Sequence, residues 1–150
     1  MKSRILIVDD DAAQRRFLAT LVGGLGHAAE QAEGGEAALA RVLDTDAPAP
    51  AALLLDLNMP DLDGIAVLER MRAAGRAVPV IVQTSDGSIA RAVEAMRAGA
   101  TDFLVKPVGP ERLEVTLKNA LALSSLSSEV RRLARREADT LSFDELIAEA

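Results

Sequence analysis

The chain has no cysteine, tryptophan or tyrosine, and it contains a single histidine among its 150 residues. Without cysteine it can form no disulfide framework, no thiolate nucleophile and no cysteine-based metal site. One histidine also excludes a metal site built from several imidazole ligands. The only aromatic residues are three phenylalanines, which argues against a surface on which nucleic-acid bases stack.

Positive charge and long apolar runs are scarce as well. There are 17 Lys and Arg residues against 23 Asp and Glu, and the net charge of -6 argues against a nucleic-acid surface in this stretch. No apolar run approaches the roughly 18 residues of a membrane span, and the run after Arg4 is too short for a signal peptide. We therefore expect no membrane partner and a cytoplasmic location.

Hydrophobic residues make up 49% of the chain and charged residues 27%, which is typical of one folded domain of this length. Short apolar runs alternate with segments of helical periodicity, one of them marked by Ile89, Val93 and Met96. This alternation predicts an α/β fold, a doubly wound sheet of five parallel strands. The predicted strands are Ile5–Val8, His27–Ala32, Leu53–Leu55, Val78–Val82 and Phe103–Val105.

Polar residues stand at the carboxyl ends of four of these strands, and in such a sheet that edge carries the function. They are Asp9, Asp10 and Asp11 after the first strand, Asp56 after the third, Thr84 and Ser85 after the fourth, and Lys106 after the fifth. An isolated Asp in this place usually caps the following helix. We assign that role to Asp11 alone, because it directly precedes Ala12, and we assign His27 a structural role.

The chemistry of the remaining group is specific. Two carboxylates about 4 Å apart repel each other by roughly 4 kcal/mol at an effective dielectric of 20, so three of them need a compensating cation. Mg²⁺ suits such a site because it binds carboxylates, waters and phosphate oxygens. A carboxylate beside Mg²⁺, a lysine and a hydroxyl group is equipped to attack a phosphoryl group.

Three segments resemble the receiver domain of two-component response regulators: residues 5–11 (ILIVDDD), 54–64 (LLDLNMPDLDG) and 103–107 (FLVKP). The resemblance implies a flavodoxin-like sheet of strand order 2-1-3-4-5, a receiver domain over residues 1–122 and a sensor histidine kinase as partner. It implies that Asp56 is the phosphorylated residue. The implied Mg²⁺ ligands are Asp9, Asp10, Asp56 and the backbone carbonyl of Asn58.

The same resemblance implies a second set of residues that bind the phosphoryl group or respond to it. Thr84 would form a hydrogen bond to that group, Lys106 would pair with it, and the peptide bond before Pro107 would be cis. Phe103 stands where many receivers have a tyrosine, so a hydroxyl that could bond a partner is missing. The full set is Thr84, Ser85, Phe103, Lys106 and Pro107.

The tail beyond the last strand predicts a helix of about 25 residues that starts at Pro110. Residues 110–121, with the basic helix after them, resemble nitrogen-regulatory-type activators of sigma-54 RNA polymerase. Residues 123–141 would then be a helical linker, and 142–150 the start of an absent AAA+ output domain. DNA and RNA polymerase would be reached only through absent domains. The linker also predicts a homodimer seam at heptad spacing, formed by Leu123, Leu126, Val130 and Leu133.

Two other functions compete with a phosphorylation switch that controls an output domain. A stand-alone, diffusible receiver would need no further domain. A Mg²⁺-dependent phosphohydrolase of the haloacid-dehalogenase type would use a similar strand-end aspartate, but it has a second carboxylate two residues later as general acid and base. Asn58 stands at that position and cannot transfer a proton in this way. We therefore expect a phosphoacceptor rather than an enzyme.

Overall fold

The computed structural model describes residues 3–85 and 89–123. Within them, strands alternate with helices along the chain, and all five strands are parallel and lie in the order β2-β1-β3-β4-β5. The elements are β1 Arg4–Val8, α1 Ala12–Gly24, β2 Ala28–Ala32, α2 Gly35–Leu43, β3 Ala52–Asp56, α3 Gly64–Ala73, β4 Val80–Thr84, α4 Ile89–Arg97, β5 Asp102–Val105 and α5 at 110–123. The predicted fold and strand order are confirmed.

Both faces of the sheet are covered, which is why its central strands are apolar at nearly every position. Side chains alternate between the faces along each strand. Leu6 and Leu55 pack with α2, α3 and α4, whereas Ile7 and Leu54 pack with α1 and α5. The central strands β3 and β4 are buried at all ten of their positions.

Helix α1 begins where the sequence predicts. Asp11 is its N-cap, and the Asp11 side chain accepts hydrogen bonds from the backbone N–H groups of Ala13 at 2.9 Å and Gln14 at 3.4 Å. These bonds satisfy two donors that the first turn of a helix leaves without a partner. The cap directs the chain from β1 into α1 immediately after Asp9 and Asp10.

The large apolar residues of helix α4 do not face the sheet; the face of α4 that packs on the sheet carries alanines. Ile89, Val93 and Met96 are 71%, 44% and 41% exposed, whereas Ala92 and Ala95 are buried. The small methyl side chains of the alanines let the helix backbone come close to the sheet. The larger residues therefore form an apolar stripe on the outer surface.

The C-terminal predictions can be followed only as far as residue 123. Helix α5 covers 110–123, and its apolar side chains Leu113, Leu117 and Ala120 are buried on the sheet. Leu123 is exposed. Leu126, Val130 and Leu133, the rest of the linker and residues 142–150 lie outside the described residues, so the seam stays a prediction. In the described part of the chain, no helix combines the length and apolar character needed to cross a membrane.

Candidate functional site

The carboxyl ends of β1 and β3 bring three carboxylates together. One oxygen from each of Asp9, Asp10 and Asp56 lies within 4.8 Å of the other two. Asp9 and Asp56 are 1% and 3% exposed, while Asp10 faces solvent. We call this group the acidic pocket. Its position follows from the sheet, because β1 and β3 are neighbours in register and their ends lie side by side.

Lys106 supplies a positive charge to the acidic pocket. Its Nζ lies 3.4 Å from Asp9 Oδ2 and 3.4 Å from Asp56 Oδ1. The backbone holds it there, because the Lys106 N–H donates to the Thr84 carbonyl at 2.8 Å and so continues the pairing of β4 with β5. The peptide bond between Lys106 and Pro107 is cis, as expected. Three carboxylates against one ammonium group leave the pocket with two net negative charges when all are ionised.

The environment of Asp56 opposes its ionisation. Burial raises the pKa of the Asp56 carboxyl above its usual value, and the nearby Asp9 carboxylate raises it further. Lys106 and the backbone N–H of Asn58, which donates to Asp56 Oδ1 at 3.2 Å, act in the opposite direction without overcoming burial. The pocket therefore contains a carboxylate whose charge is poorly compensated.

The other predicted site residues surround the pocket at different depths. Thr84 is buried at the end of β4, next to the strand that ends in Asp56. Ser85 and Asn58 are exposed, and Phe103 is partly buried against the α2, α3 and α4 side of the core. The positions agree with a common site at one edge of the sheet, and the individual roles of these residues stay predictions.

Sequence reasoning missed Arg15, which contacts the backbone of Asp9 in the acidic pocket. This buried residue of α1 donates from Nη1 to the Asp9 carbonyl at 2.6 Å and from Nε to Gln31 Oε1 on β2 at 3.3 Å. Its guanidinium group thus ties the loop that carries Asp9 to the neighbouring strand. The sequence contains no local signal for this contact, because Gln31 is distant along the chain.

Gly64 was also missed as a contributor to the shape of the pocket. A Cβ at this position would lie 2.6 Å from the Asp56 carbonyl oxygen and 2.9 Å from Leu57 Cα. Since both are backbone atoms, they cannot move aside as the end of a side chain could. The start of α3 can therefore lie this close to the end of β3, directly beside the backbone of Asp56, only with glycine there.

The residues present suit a hard divalent cation. All three side chains offer carboxylate oxygens, the ligands that Mg²⁺ takes, and Asp10 is open to solvent and to the waters that Mg²⁺ retains. The pocket also carries more negative charge than Lys106 can neutralise, so a cation would relieve the repulsion. The donor set thus fits the predicted metal.

Comparisons with known proteins identify relatives of this chain. Residues 5–118 match the family described as response regulator receiver domain. The regulatory protein AtoC of Escherichia coli (strain K12) is 38% identical over 131 residues, which are 87% of this chain and 28% of that protein. The transcriptional regulatory protein ZraR of Salmonella typhimurium is 40% identical over 121 residues, covering 81% and 27%. The structure of NtrX from Brucella abortus matches with a TM-score of 0.82 at 34% identity, covering 89% of this chain and 30% of that one.

Proposed function

The chain belongs to the response regulator receiver domain family, and from this premise we propose that Asp56 accepts a phosphoryl group from the phosphohistidine of a sensor kinase. The observation that carries the proposal is the acidic pocket with Lys106 between two of its carboxylates. Burial raises the pKa of the Asp56 carboxyl, which means that its ionised form is poorly stabilised at this position. Formation of an acyl phosphate removes the charge from the buried carboxyl group and places negative charge on the phosphoryl oxygens, nearer to solvent and to Lys106.

The transfer itself would be a substitution at phosphorus. A carboxylate oxygen of Asp56 forms the new O–P bond while the N–P bond of the donor breaks, and the leaving imidazole takes up a proton. Mg²⁺, when bound, would spread the charge that develops on the phosphoryl oxygens. The family resemblance would give Asp9, Asp10, Asp56 and the Asn58 carbonyl as its ligands.

Lys106 and Thr84 would hold the transferred group. Lys106 Nζ already lies 3.4 Å from Asp56 Oδ1, so its ammonium group can follow the negative charge outward to the phosphoryl oxygens. Thr84 ends the strand beside β3, which allows its hydroxyl to donate to one of those oxygens. Positioned charge and hydrogen bonds of this kind are the main means by which proteins promote phosphoryl transfer.

We further propose that phosphorylation controls an output domain beyond residue 150, of the sigma-54-dependent activator type. Two observations support this step. The tail after α5 resembles the linker and AAA+ entry of such activators, and the chain spans less than a third of AtoC, ZraR and the solved NtrX chain. The switch would then reach DNA and RNA polymerase through those further domains.

The central proposal is tested by intact-mass measurement after incubation with acetyl phosphate and Mg²⁺. We expect a gain of one phosphoryl group in the wild type and none in Asp56→Ala. Asp61→Ala is the matched control, because Asp61 is an exposed aspartate five positions along the same loop and should leave labelling unchanged. Equal labelling of the wild type and Asp56→Ala would overturn the assignment of Asp56.

A further inference from the structure

Gln83 is a buried polar residue near the carboxyl end of a strand that is otherwise mainly apolar. It lies on β4, is 0% exposed, and neither its Nε2 nor its Oε1 has a hydrogen-bond partner among the described residues. Buried amide groups are almost always paired, and an unpaired one destabilises the fold. Leucine or methionine would fill a similar volume without a buried, unpaired amide. We therefore ask which function the amide of Gln83 could have.

The sheet places Gln83 beside the proposed phosphoacceptor. Asp56 on β3 and Gln83 on β4 are partners in register. Two residues earlier on each strand, Leu54 and Ile81 pack on the face covered by α1 and α5, and the pleat turns Asp56 and Gln83 toward that same face. Neighbouring strands lie about 4.8 Å apart, a distance that a glutamine side chain spans.

The residue on the other side of Gln83 has no side-chain group that can form a hydrogen bond. On the far side its partner in register is Leu104 of β5, a buried apolar residue. Of the two residues in register with Gln83, Asp56 is therefore the one that can accept a hydrogen bond. In the described structure, Asp56 Oδ1 accepts from the Asn58 N–H and has Lys106 close by, and neither contact involves Gln83.

We propose that Gln83 is a positioning residue that donates its Nε2–H to the carboxyl group of Asp56 once that group is phosphorylated. This inference rests on the proposed function. After transfer, one carboxyl oxygen bridges to phosphorus and the negative charge moves outward to the phosphoryl oxygens, where Lys106 can follow it. A carbonyl oxygen has two lone pairs, so the remaining oxygen can accept a further hydrogen bond even where the Asn58 N–H or a metal ion also contacts it. Gln83 holds a buried donor that can turn toward it.

If Gln83 has this role, removing its amide should stabilise the unphosphorylated protein and destabilise the phosphorylated one. Gln83→Met keeps the length of the side chain and removes the amide, so it should raise the melting temperature of the unphosphorylated, metal-free protein. It should also weaken the binding of beryllofluoride, a phosphoryl mimic that attaches to aspartate, by about tenfold in the presence of Mg²⁺. A residue that only fills space would leave the beryllofluoride affinity unchanged.

The experiment compares the melting temperature without ligand and the beryllofluoride affinity for four proteins that each comprise residues 1–150. These are the wild type, Gln83→Met, Gln83→Leu and the control Leu104→Met. Leu104 is the control position because it is in register with Gln83 on the side away from Asp56. Gln83→Leu covers the case in which the first variant does not fold. The control should leave the beryllofluoride affinity within about twofold of the wild type, since it replaces one apolar side chain by another of similar volume.

The outcomes separate this inference from the proposed function. Failure of the wild type to bind beryllofluoride would count against the role of Asp56 itself. Tight binding by the wild type together with equally tight binding by the Gln83 variants would overturn the positioning role and leave the phosphoacceptor intact. A lower melting temperature of both variants without ligand would also overturn it, because it would mean that the amide already has a stabilising partner.

Discussion

Replacing Asp56 with asparagine is expected to raise the melting temperature of the metal-free protein at neutral pH. Burial raises the pKa of the Asp56 carboxyl, so ionisation of this group in the folded state costs more than it does in the unfolded chain. Asparagine fills nearly the same volume and carries no charge. The variant therefore lacks the buried charge that destabilises the folded state of the wild type.

The size of the effect follows from the distances in the pocket. At an effective dielectric of 20, Lys106 at 3.4 Å attracts the Asp56 carboxylate by about 5 kcal/mol, and the buried Asp9 within 4.8 Å repels it by about 3.5 kcal/mol. Asp10, also within 4.8 Å but exposed, adds a repulsion that solvent screens. These terms nearly cancel, so the desolvation of a buried charge decides the sign. We expect a net gain of about 1–2 kcal/mol, which raises the melting temperature by roughly 3–10 °C for a domain of this size.

The difference in stability between Asp56→Asn and the wild type should increase with pH. Below the ordinary carboxyl pKa of 3.8, Asp56 is protonated in both the folded and the unfolded state, and the wild type carries no charge penalty there. As the pH rises, the unfolded chain releases its proton first, because the folded pKa is raised. The advantage of the variant should therefore grow from about pH 3.8 upward and level off above the folded pKa.

The assay is thermal unfolding followed by circular dichroism, in the presence of a chelator, at a series of pH values from 3 to 8. Asp61→Asn is the control of opposite sign. Hydrogen bonds from the backbone N–H of Glu36 and Gly35 lower the pKa of Asp61, so its charge stabilises the fold above its unfolded pKa, and that contribution is lost as the pH falls through the folded value. The reasoning on Asp56 fails if Asp56→Asn melts below the wild type at neutral pH, or if its advantage is as large at pH 3.

Two further predictions concern the scaffold and the predicted dimer. Arg72→Met should lower the free energy of unfolding by about 2–4 kcal/mol in urea titrations, because the Arg72 guanidinium donates to three backbone carbonyls that would lose their donor. Those carbonyls belong to Arg76 at 2.7 Å, Val78 at 3.2 Å and Gly99 at 2.7 Å; a loss below about 0.5 kcal/mol would contradict this role. If the predicted seam forms, residues 1–150 should sediment as a dimer at tens of micromolar and residues 1–122 as a monomer, in line with roughly micromolar affinity; two monomers would contradict it.

The fold could be predicted from the sequence because its strands carry an unambiguous signal. A strand covered on both faces must be apolar at consecutive positions, and β1, β3 and β4 satisfy this almost completely. The acidic pocket could be predicted for a related reason. Parallel strands end at one edge of the sheet, so residues at or just after their carboxyl ends, such as Asp56 and Asp9, come together however the helices pack.

Helix α4 marks the limit of periodicity as an argument. Its sequence contains two stripes at helical spacing, one of large residues that includes Ile89 and Val93 and one of small residues, Ala92 and Ala95. Periodicity predicts the helix from either stripe. Which stripe packs on the sheet depends on how close the helix backbone lies to β4 and β5, and that distance is a property of the assembled fold.

Arg15 and Gln83 could not be assigned for a deeper reason, since each acts through a partner that is distant along the chain. Arg15 bonds the carbonyl of Asp9 and the side chain of Gln31, and Gln83 matters because sheet register places it beside Asp56. The carboxylates of a phosphoacceptor pocket are visible in a sequence because they follow strands. The groups that would keep such a pocket in one arrangement are set by strand order and register, and these exist only after the sheet has formed. Substitutions at Arg15 or Gln83 are therefore expected to change the chemistry of Asp56 without changing any of the motifs by which the family is identified.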